Sequence, residues 1–185
     1  MSVFTNPASG SKAHAAAYVT AVLDLLGAAD PVQVLDSTPL AFAETLDGLS
    51  VEALARPEEP GKWSMGQVLQ HMADSELVWG YRVRMILSHD RPQISGYDQD
   101  AWATRLHYER ADARQALEDF SVLRRANLRL VQAMTPDDYR RVGIHAERGE
   151  EGLAHMVRLY AGHDLLHRRQ LERIRAVVAD PRDGS

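Results

Sequence analysis

The sequence predicts an all-α protein, a four-helix bundle with an additional N-terminal helix. Apolar residues recur at steps of three and four through most of the 185 residues, and no long stretch alternates with a period of two. Prolines, glycines and short polar stretches divide this pattern into three long amphipathic segments, one shorter segment and an N-terminal segment. Such a set of helices is typical of a bundle.

The first third of the chain is predicted to contain two helices and a connection. The first helix covers Ser9 to Ala28 and ends before the helix-breaking pair Asp30-Pro31. Thr38, followed by Pro39 at the first helical position, is predicted to cap a second helix that runs to Leu46. The stretch 55–61 holds two prolines and a glycine, which predicts a connection.

The first long helix has the clearest start. Ser64 with Gln67 three residues later forms a capping box, and Trp63 lies at the position of a hydrophobic staple. Apolar residues then repeat at near-heptad spacing to Ser88: Met65, Val68, Leu69, Met72, Trp79, Val83 and Ile86. This pattern predicts a helix with one side in the core.

The second half is predicted to contain a long connection and two further long helices. His89 to Glu109 is a mixed segment with Pro92 and Gly96, which predicts a long loop with a short helix. A helix follows from Asp112 to Met134, with a buried face formed by Ala116, Leu117, Phe120, Leu123, Asn127, Leu130 and Met134. The last helix covers Gly149 to Ala179, before Asp180-Pro181.

Composition excludes several classes of protein. With 21 basic and 26 acidic side chains, the net charge of −5 argues against a nucleic-acid partner, because sequence-independent binding requires clustered Lys and Arg. The absence of cysteine excludes disulfides, thiolate zinc sites and cysteine nucleophiles. No signal peptide and no run of 18 apolar residues is found, so we expect a soluble, cytoplasmic protein without a membrane partner.

The last helix carries two histidines on the face predicted to point inward. The inward residues follow at steps of three and four: Leu153, Met156, Tyr160, His163, His167, Gln170, Ile174 and Val177. His163 and His167 should have Cβ atoms about 6 Å apart, so both imidazoles can reach one metal ion. The alternative is that both are core histidines satisfied by their neighbours. A metal ion would satisfy both at once, whereas each unpartnered imidazole costs about 1–3 kcal/mol.

A third ligand is expected from a facing helix. His71 lies beside Met72 and Val68 in the first long helix, where it can point inward. His155 is two turns from His163, about 12 Å along the axis, and is too far away. The other four histidines, which we interpret as surface or capping residues near helix ends or in connections, are His14, His89, His107 and His145.

Other polar residues are assigned supporting roles. Asp74 and Gln170, each one turn after a candidate ligand, can orient the ligand imidazoles, with a plain structural role as the alternative. Arg124 and Asn127 flank the buried face of their helix and can contribute polar groups to a pocket. Gly162, next to His163, indicates close approach of a helix or ligand. A basic cluster in the last helix, interpreted as a solvated face, consists of Arg168, Arg169, Arg173 and Arg175.

Three imidazoles without a fourth protein ligand are typical of an open, catalytic type of metal site. Such a metal lowers the pKa of bound water or of a bound thiol and polarises a carbonyl group. The string His163-Asp164-Leu165-Leu166-His167 is similar to the zinc-protease pattern H-E-x-x-H, but Asp164 is shorter than the glutamate base and no histidine follows downstream. Asp164 is therefore interpreted as an outer or solvated residue.

Four strings together resemble the DinB-like superfamily, also called DinB/YfiT metal-dependent enzymes. They are GKWSMGQVLQHMADSELVWGYRVRMIL, PQISGYDQDAW, FSVLRRANLRL and YAGHDLLHRRQLERI, in a match that runs from Thr38 to Ile174. The resemblance implies a four-helix bundle, often dimeric, with a divalent metal held by one histidine of the second bundle helix and two of the last. These are His71, His163 and His167. Leu166 stands where many members have a further histidine.

The resemblance also implies the activity and organisation that we expect. Characterised members include transferases and isomerases that use low-molecular-weight thiols such as bacillithiol or mycothiol. We therefore expect a metal-dependent thiol S-transferase or hydrolase of a small molecule, with zinc as the first candidate metal and nickel, manganese or iron as alternatives. The competing hypothesis is a non-catalytic, dimeric stress-response protein with a structural metal; DNA-damage induction describes regulation only. The predicted units are an extension helix at 1–30, the bundle at 31–179 and a disordered tail at 180–185.

Overall fold

The fold consists of long helices, some parallel and some antiparallel to their neighbours, and one small sheet. The computed structural model describes residues 12–146 and 148–179, without the side chains of residues 12–15. The helices are α1 (Lys12–Leu26), α2 (Pro31–Leu46), α3 (Val51–Ala55), α4 (Met65–Ser88), α5 (Gln99–Arg105), α6 (Ala113–Gln132) and α7 (Leu153–Val178), and the strands are β1 (Gln93–Ile94), β2 (Val142–His145) and β3 (Gly149–Gly152). Helices α2, α4, α6 and α7 form the bundle, and α1 packs on α7.

The bundle contains two parallel pairs of neighbours, α2 with α7 and α4 with α6. Leu35 and Leu153, near the starts of α2 and α7, share one apolar cluster, and Arg175 near the end of α7 donates to the Thr45 carbonyl oxygen near the end of α2.

Gly66 meets the Ala111 carbonyl oxygen and Gly80 meets the Asn127 side chain, so α4 and α6 run in the same direction. Parallel neighbours need a connection that returns along the bundle. The segment between α4 and α6 does this, with β1, α5 and a 3-10 turn at Tyr108–Arg110. The expectation of a long loop with a short helix is confirmed for this segment.

The small sheet joins this connection to the start of α7. Its order is β1-β2-β3, with β1 parallel to β2 and β2 antiparallel to β3. Gln93 is opposite Ile144, and Val142 is opposite Gly152. These strands could not be predicted from the sequence because each has only two or four residues. The predicted start of the last helix at Gly149 is wrong for the same reason, since 149–152 form β3 and α7 begins at Leu153.

The predicted start of the second helix at Thr38 is also wrong. Asp30 is the N-cap, and its carboxylate accepts hydrogen bonds from the backbone N–H of Val32 and of Gln33 at 2.8 and 3.3 Å. Pro31 takes the first helical position, and Pro39 lies inside the helix. Because Pro39 has no N–H, the Leu35 carbonyl oxygen needs another donor. Arg124 of α6 supplies it, with its Nη1 at 2.8 Å.

The capping box at the start of α4 is confirmed. The Ser64 N–H donates to Gln67 Oε1 at 3.0 Å, and the Gln67 N–H donates to Ser64 Oγ at 3.4 Å. The apolar residues predicted to be buried along α4 are all in the core. In α7 the predicted inward face holds as far as Ile174, but Val177 is 39% exposed and Val178 takes its place in the core.

The core consists of two apolar clusters with a polar layer between them. One cluster contains Phe42, Leu69, Phe120 and Leu171. The other contains Leu35, Trp79, Leu128 and Leu153. On α4, α6 and α7, the buried polar residues lie mainly between the residues that belong to one apolar cluster and those that belong to the other. The candidate site is therefore in the middle of the bundle, held from both ends by packed side chains.

The predicted first helix and tail are only partly described. Helix α1 ends at Leu26, where Gly27 has φ +53°, and the predicted start at Ser9, like the tail at 180–185, lies outside the described residues. None of the described helices is by itself long and apolar enough to cross a membrane; the segments 16–26 and 31–46 pass that test only as a pair bent by 85°.

Candidate metal centre

Three histidines converge in the polar layer, one from α4 and two from α7. His71 Nε2 lies 3.2 Å from His163 Nε2, which lies 3.1 Å from His167 Nε2. His71 is 1% and His167 is 8% exposed, and His163 is partly buried. The structure thus brings together the three histidines that the sequence predicted, through the i, i+4 spacing on α7 and the inward position on α4.

The arrangement of these nitrogens fits a shared metal ion. Tetrahedral zinc at 2.0–2.1 Å from imidazole nitrogens places two such nitrogens about 3.3 Å apart. Three Nε2 atoms that face one another cannot all be satisfied by sharing protons, because each neutral ring has only one N–H. A cation at their centre accepts all three lone pairs. The residues present therefore fit a divalent metal.

Burial keeps these imidazoles neutral. It lowers the pKa of His71 and His163 well below the ordinary value, and neighbouring histidines add to the effect. Burial also lowers the pKa of His167 to about 4, although the hydrogen bond that its ring donates to Gln170 opposes this. At neutral pH the three lone pairs are therefore available to a cation.

The outer nitrogens of the three rings have different surroundings. His167 Nδ1 is 2.8 Å from Gln170 Oε1, so the predicted contact of Gln170 with the imidazole of a candidate ligand is confirmed. For Asp74 the structure shows the alternative, a plain structural role. Its carboxylate instead accepts a hydrogen bond from the Tyr108 hydroxyl and lies near Gln70. The Nδ1 atoms of His71 and His163 are buried without a hydrogen-bond partner among the described residues.

One hydroxyl group adjoins the His71 ring and a second one contacts the first, and neither was predicted from the sequence. Ser75 Oγ lies 3.4 Å from His71 Nε2 and 2.9 Å from the Tyr97 hydroxyl. The position of Ser75, one turn after His71, could have indicated this contact. Tyr97 lies in the connection before α5, and no local pattern could place it. Within the described part of the chain, no carboxylate joins the three histidines.

A second polar cluster lies directly behind the histidines. Arg124 donates to both oxygens of Asp164 and, at 2.9 Å, to Glu76 Oε2. Asn127 Nδ2 donates to Glu76 Oε1 at 2.9 Å. Asp164 and Arg124 are 1% and 2% exposed, so the interpretation of Asp164 as solvated is wrong. Because Asp164 follows His163, the cluster fixes the register of α7 against α4 and α6.

The remaining histidines and the glycine have distinct roles. His145 is 1% exposed, so its interpretation as a surface residue is wrong; it lies in β2, which the sequence analysis missed. His89 ends α4 as an exposed C-cap and His107 is exposed, as predicted. His155 is partly buried in α7, and the side chain of His14 is outside the described residues. A Cβ at Gly162 would lie 2.3 Å from the Val22 carbonyl oxygen, which confirms the close approach of a helix, here α1.

A four-helix bundle with a buried three-histidine centre defines the general class of this protein. The family model of the DinB superfamily matches residues 35–171, and the chain belongs to that superfamily. Helix α1 precedes the matched residues.

Similar proteins carry names that refer to metal-dependent hydrolysis. A protein of Bacillus mycoides (strain KBAB4), named "Putative metal-dependent hydrolase", is 26% identical over 144 residues, 78% of this chain and 83% of that protein. "Putative metal-dependent hydrolase YfiT" of Bacillus subtilis (strain 168) is 26% identical over 137 residues, 74% of this chain and 77% of YfiT. A solved structure of YfiT, described as a probable metal-dependent hydrolase with an unusual four-helix bundle topology, has a TM-score of 0.70 at 25% identity and covers 77% of this chain and 84% of its own.

Proposed function

We propose that His71, His163 and His167 bind one divalent metal ion and that this centre is catalytic, acting on a small molecule. The observation that carries the proposal is the convergence of three neutral Nε2 atoms at 3.1–3.2 Å. Zinc is the expected ion, because three imidazoles with an open fourth position are typical of catalytic zinc. Nickel, manganese and iron also accept imidazole ligands and are the alternatives.

A bound divalent ion would lower the pKa of a water molecule or thiol and polarise a carbonyl group. The protein's own groups have complementary tasks. Gln170 orients the His167 ring, and the Arg124 cluster holds α7 against α4. Ser75 and Tyr97 form a pair of hydroxyls beside His71, where they can donate a hydrogen bond to a substrate oxygen.

Hydrolysis and thiol transfer are the two reactions that this site supports. The names of the relatives favour hydrolysis. The absence of a carboxylate from the histidine cluster in the described residues favours a nucleophile that loses its proton easily, such as a thiol. Because the chain has no cysteine, that sulfur must arrive as a low-molecular-weight thiol with the substrate.

The proposal is tested by metal analysis and by activity with and without metal. Protein purified without a nickel column should contain about one metal ion per chain. Metal-loaded protein should hydrolyse esters or conjugate thiols with electrophiles faster than chelated protein. His155→Ala, on the same helix as two ligands, is the matched control for His71→Ala. Equal rates in loaded and chelated protein would leave only a structural metal, and metal well below one ion per chain in the unaltered protein would remove the centre altogether.

We further propose that the protein forms a homodimer through the outer face of α4 and α6. The alternative function, a non-catalytic stress-response protein with a structural metal, also requires a dimer. This face has an acidic end, an apolar middle and a basic end. They consist respectively of Asp74, Glu118 and Asp119, of Leu77, Tyr81 and Val122, and of Arg84, Arg125 and Arg129. Leu77, Tyr81 and Val122 are 53%, 64% and 50% exposed. A twofold axis across the parallel helices would place each acidic end opposite a basic end.

Light scattering tests the proposed dimer. The double substitution Leu77→Asp and Val122→Asp should yield monomers, because it places charge in the apolar middle of the face. Val51→Asp is the control, since Val51 is 67% exposed on α3, away from this face. A monomeric unaltered protein would contradict the proposal.

A further inference from the structure

Two arginines are buried in the described part of the chain, and their surroundings differ. Arg124, 2% exposed, is neutralised by Glu76 and Asp164. Arg82, 5% exposed, forms no ion pair with a carboxylate in the described residues. Its hydrogen bond is to the Ser95 carbonyl oxygen at 2.6 Å, and its Nε, like that of Arg124, is buried without a partner among the described residues. A buried charge without a counter-charge is costly, so it indicates a ligand that supplies the missing charge.

The groups around Arg82 do not neutralise it. Burial, together with the charges of Arg148 and Arg82, lowers the pKa of His145 to about 4, so that His145 is neutral at pH 7. The nearby Glu151 is already held by Arg148 in a two-point contact of 2.8 and 3.0 Å. Burial raises the pKa of Tyr160, and the charge of Arg82 opposes this rise, which places a neutral phenol within reach of the same charge.

Arg82 lines a groove that is connected to the histidine cluster through Tyr97 and Ser75. The groove has a volume of about 360 Å³ and is otherwise mainly apolar, with Tyr97 and Trp102 in its wall. The two rings are in contact, with centroids 4.6 Å apart. Tyr97 belongs to both places, because its hydroxyl bonds Ser75 beside His71. His71, Ser75 and Arg82 occupy one stripe of α4, about 16 Å from end to end at 1.5 Å per residue.

We infer that Arg82 is the anion-binding subsite of this centre and that the small-molecule substrate carries an oxyanion group, a carboxylate or a phosphate. The inference rests on the proposed function and names its substrate class. The guanidinium presents a planar fork that suits either oxyanion, and the ring pair Tyr97–Trp102 suits a flat apolar body between the charge and the reacting group.

Binding of matched probes tests the inference by calorimetry at fixed ionic strength. Benzoate should bind at least about tenfold more tightly than benzamide, which has the same shape without the charge, as expected for a charge-assisted hydrogen bond. Phenyl phosphate distinguishes the two oxyanions, because the tighter of the two charged probes identifies the group that the subsite accepts.

Two substitutions separate the charge of Arg82 from its contact with Ser95. Arg82→Gln keeps a donor for the Ser95 carbonyl and should abolish the preference for benzoate, whereas Arg82→Lys keeps the charge and should retain part of it. Arg140→Gln, a change at an exposed residue after α6 and outside the proposed dimer face, should bind like the unaltered protein. Equal binding of benzoate and benzamide, or a preference that survives Arg82→Gln, would overturn the inference. Metal content measured on the same samples tests the proposed function separately. A protein without metal would contradict the proposed metal centre, whereas only the probe preference tests the role of Arg82.

Discussion

The middle of the bundle holds two buried polar clusters that differ in how completely they are satisfied. In the Arg124 cluster, one cation meets two carboxylates, and Asn127 supplies a further donor to Glu76. In the histidine cluster, three neutral rings direct their Nε2 atoms at one another, and two of the outer nitrogens have no partner in the described residues. The clusters are adjacent and share helices α4 and α7, and the Arg124 cluster also includes α6.

This difference separates a structural network from a binding site. A network whose members pair with one another through ion pairs and hydrogen bonds holds the helices in one arrangement. Three lone pairs that face one another are unfavourable until a cation joins them. The rigid cluster thus provides the register that the incomplete cluster needs, because Asp164 and Glu76 are within one turn of His163 and Ser75.

Arg124→Met should have the largest effect on folding. The change leaves Asp164 and Glu76 buried without their cation and removes the donor to the Leu35 carbonyl, so the free energy of unfolding should fall by about 3–5 kcal/mol. Urea unfolding measures this loss. Arg140→Met, at an exposed residue after α6 and outside the proposed dimer face, should change stability by less than about 0.5 kcal/mol. Similar losses in the two variants would show that the Arg124 cluster does not hold the bundle.

Acid should destabilise the metal-free protein through its buried histidines. The pKa of His167 is about 4 in the folded state against an ordinary value of 6.5, so between these values the unfolded chain binds more protons. Stability should therefore be constant above pH 6.5 and fall by about 3 kcal/mol for this residue as the pH falls to about 4. Unfolding in chelator at several pH values gives the slope. It should be reduced in His167→Gln and unchanged in His89→Gln, and equal slopes in both would contradict the assignment.

Removal of the metal should affect only protein with an intact histidine cluster. If the ion is present at about 100 times its dissociation constant, chelation should lower the free energy of unfolding by about 2.7 kcal/mol. His71→Ala should show no such change, because it has already lost the ion. His155→Ala should respond to chelation as the unaltered protein does. A response of His71→Ala to the chelator would mean that the ion is bound elsewhere.

The sequence predicted most of the helices because their signals are local. The capping box at Ser64 and the apolar spacing of α4 require only neighbouring residues. The start of α2 was predicted wrongly because Thr38-Pro39 has the form of a helix start. Asp30-Pro31 has the same form, lies earlier in the chain and is the actual start. Pro39 is accommodated by a donor from Arg124, 89 positions from Leu35 in the chain, and no local pattern contains that information.

The candidate site also contains residues that a local pattern predicts and residues that it does not. The two α7 histidines are a helical pair, and His71 is inward by periodicity, so their convergence could be predicted. Tyr97 and Arg82 could not be, because their roles depend on where the connection after α4 returns to the bundle. His145 was misjudged because four-residue strands have too few positions for alternation to be recognised.

Gln170 is the one predicted outer contact that the structure confirms, and it offers the finest test of the difference between the two clusters. Gln170→Leu should leave the fold intact but weaken metal binding by about 10- to 100-fold, because the His167 ring loses the acceptor that orients it. Competition with a fluorescent chelator measures the affinity. Gln132→Leu, an exposed change at the end of α6, is the control. If Gln170→Leu lowered stability and left metal affinity unchanged, Gln170 would have a structural role, like the residues around Arg124, and would not support metal binding through His167.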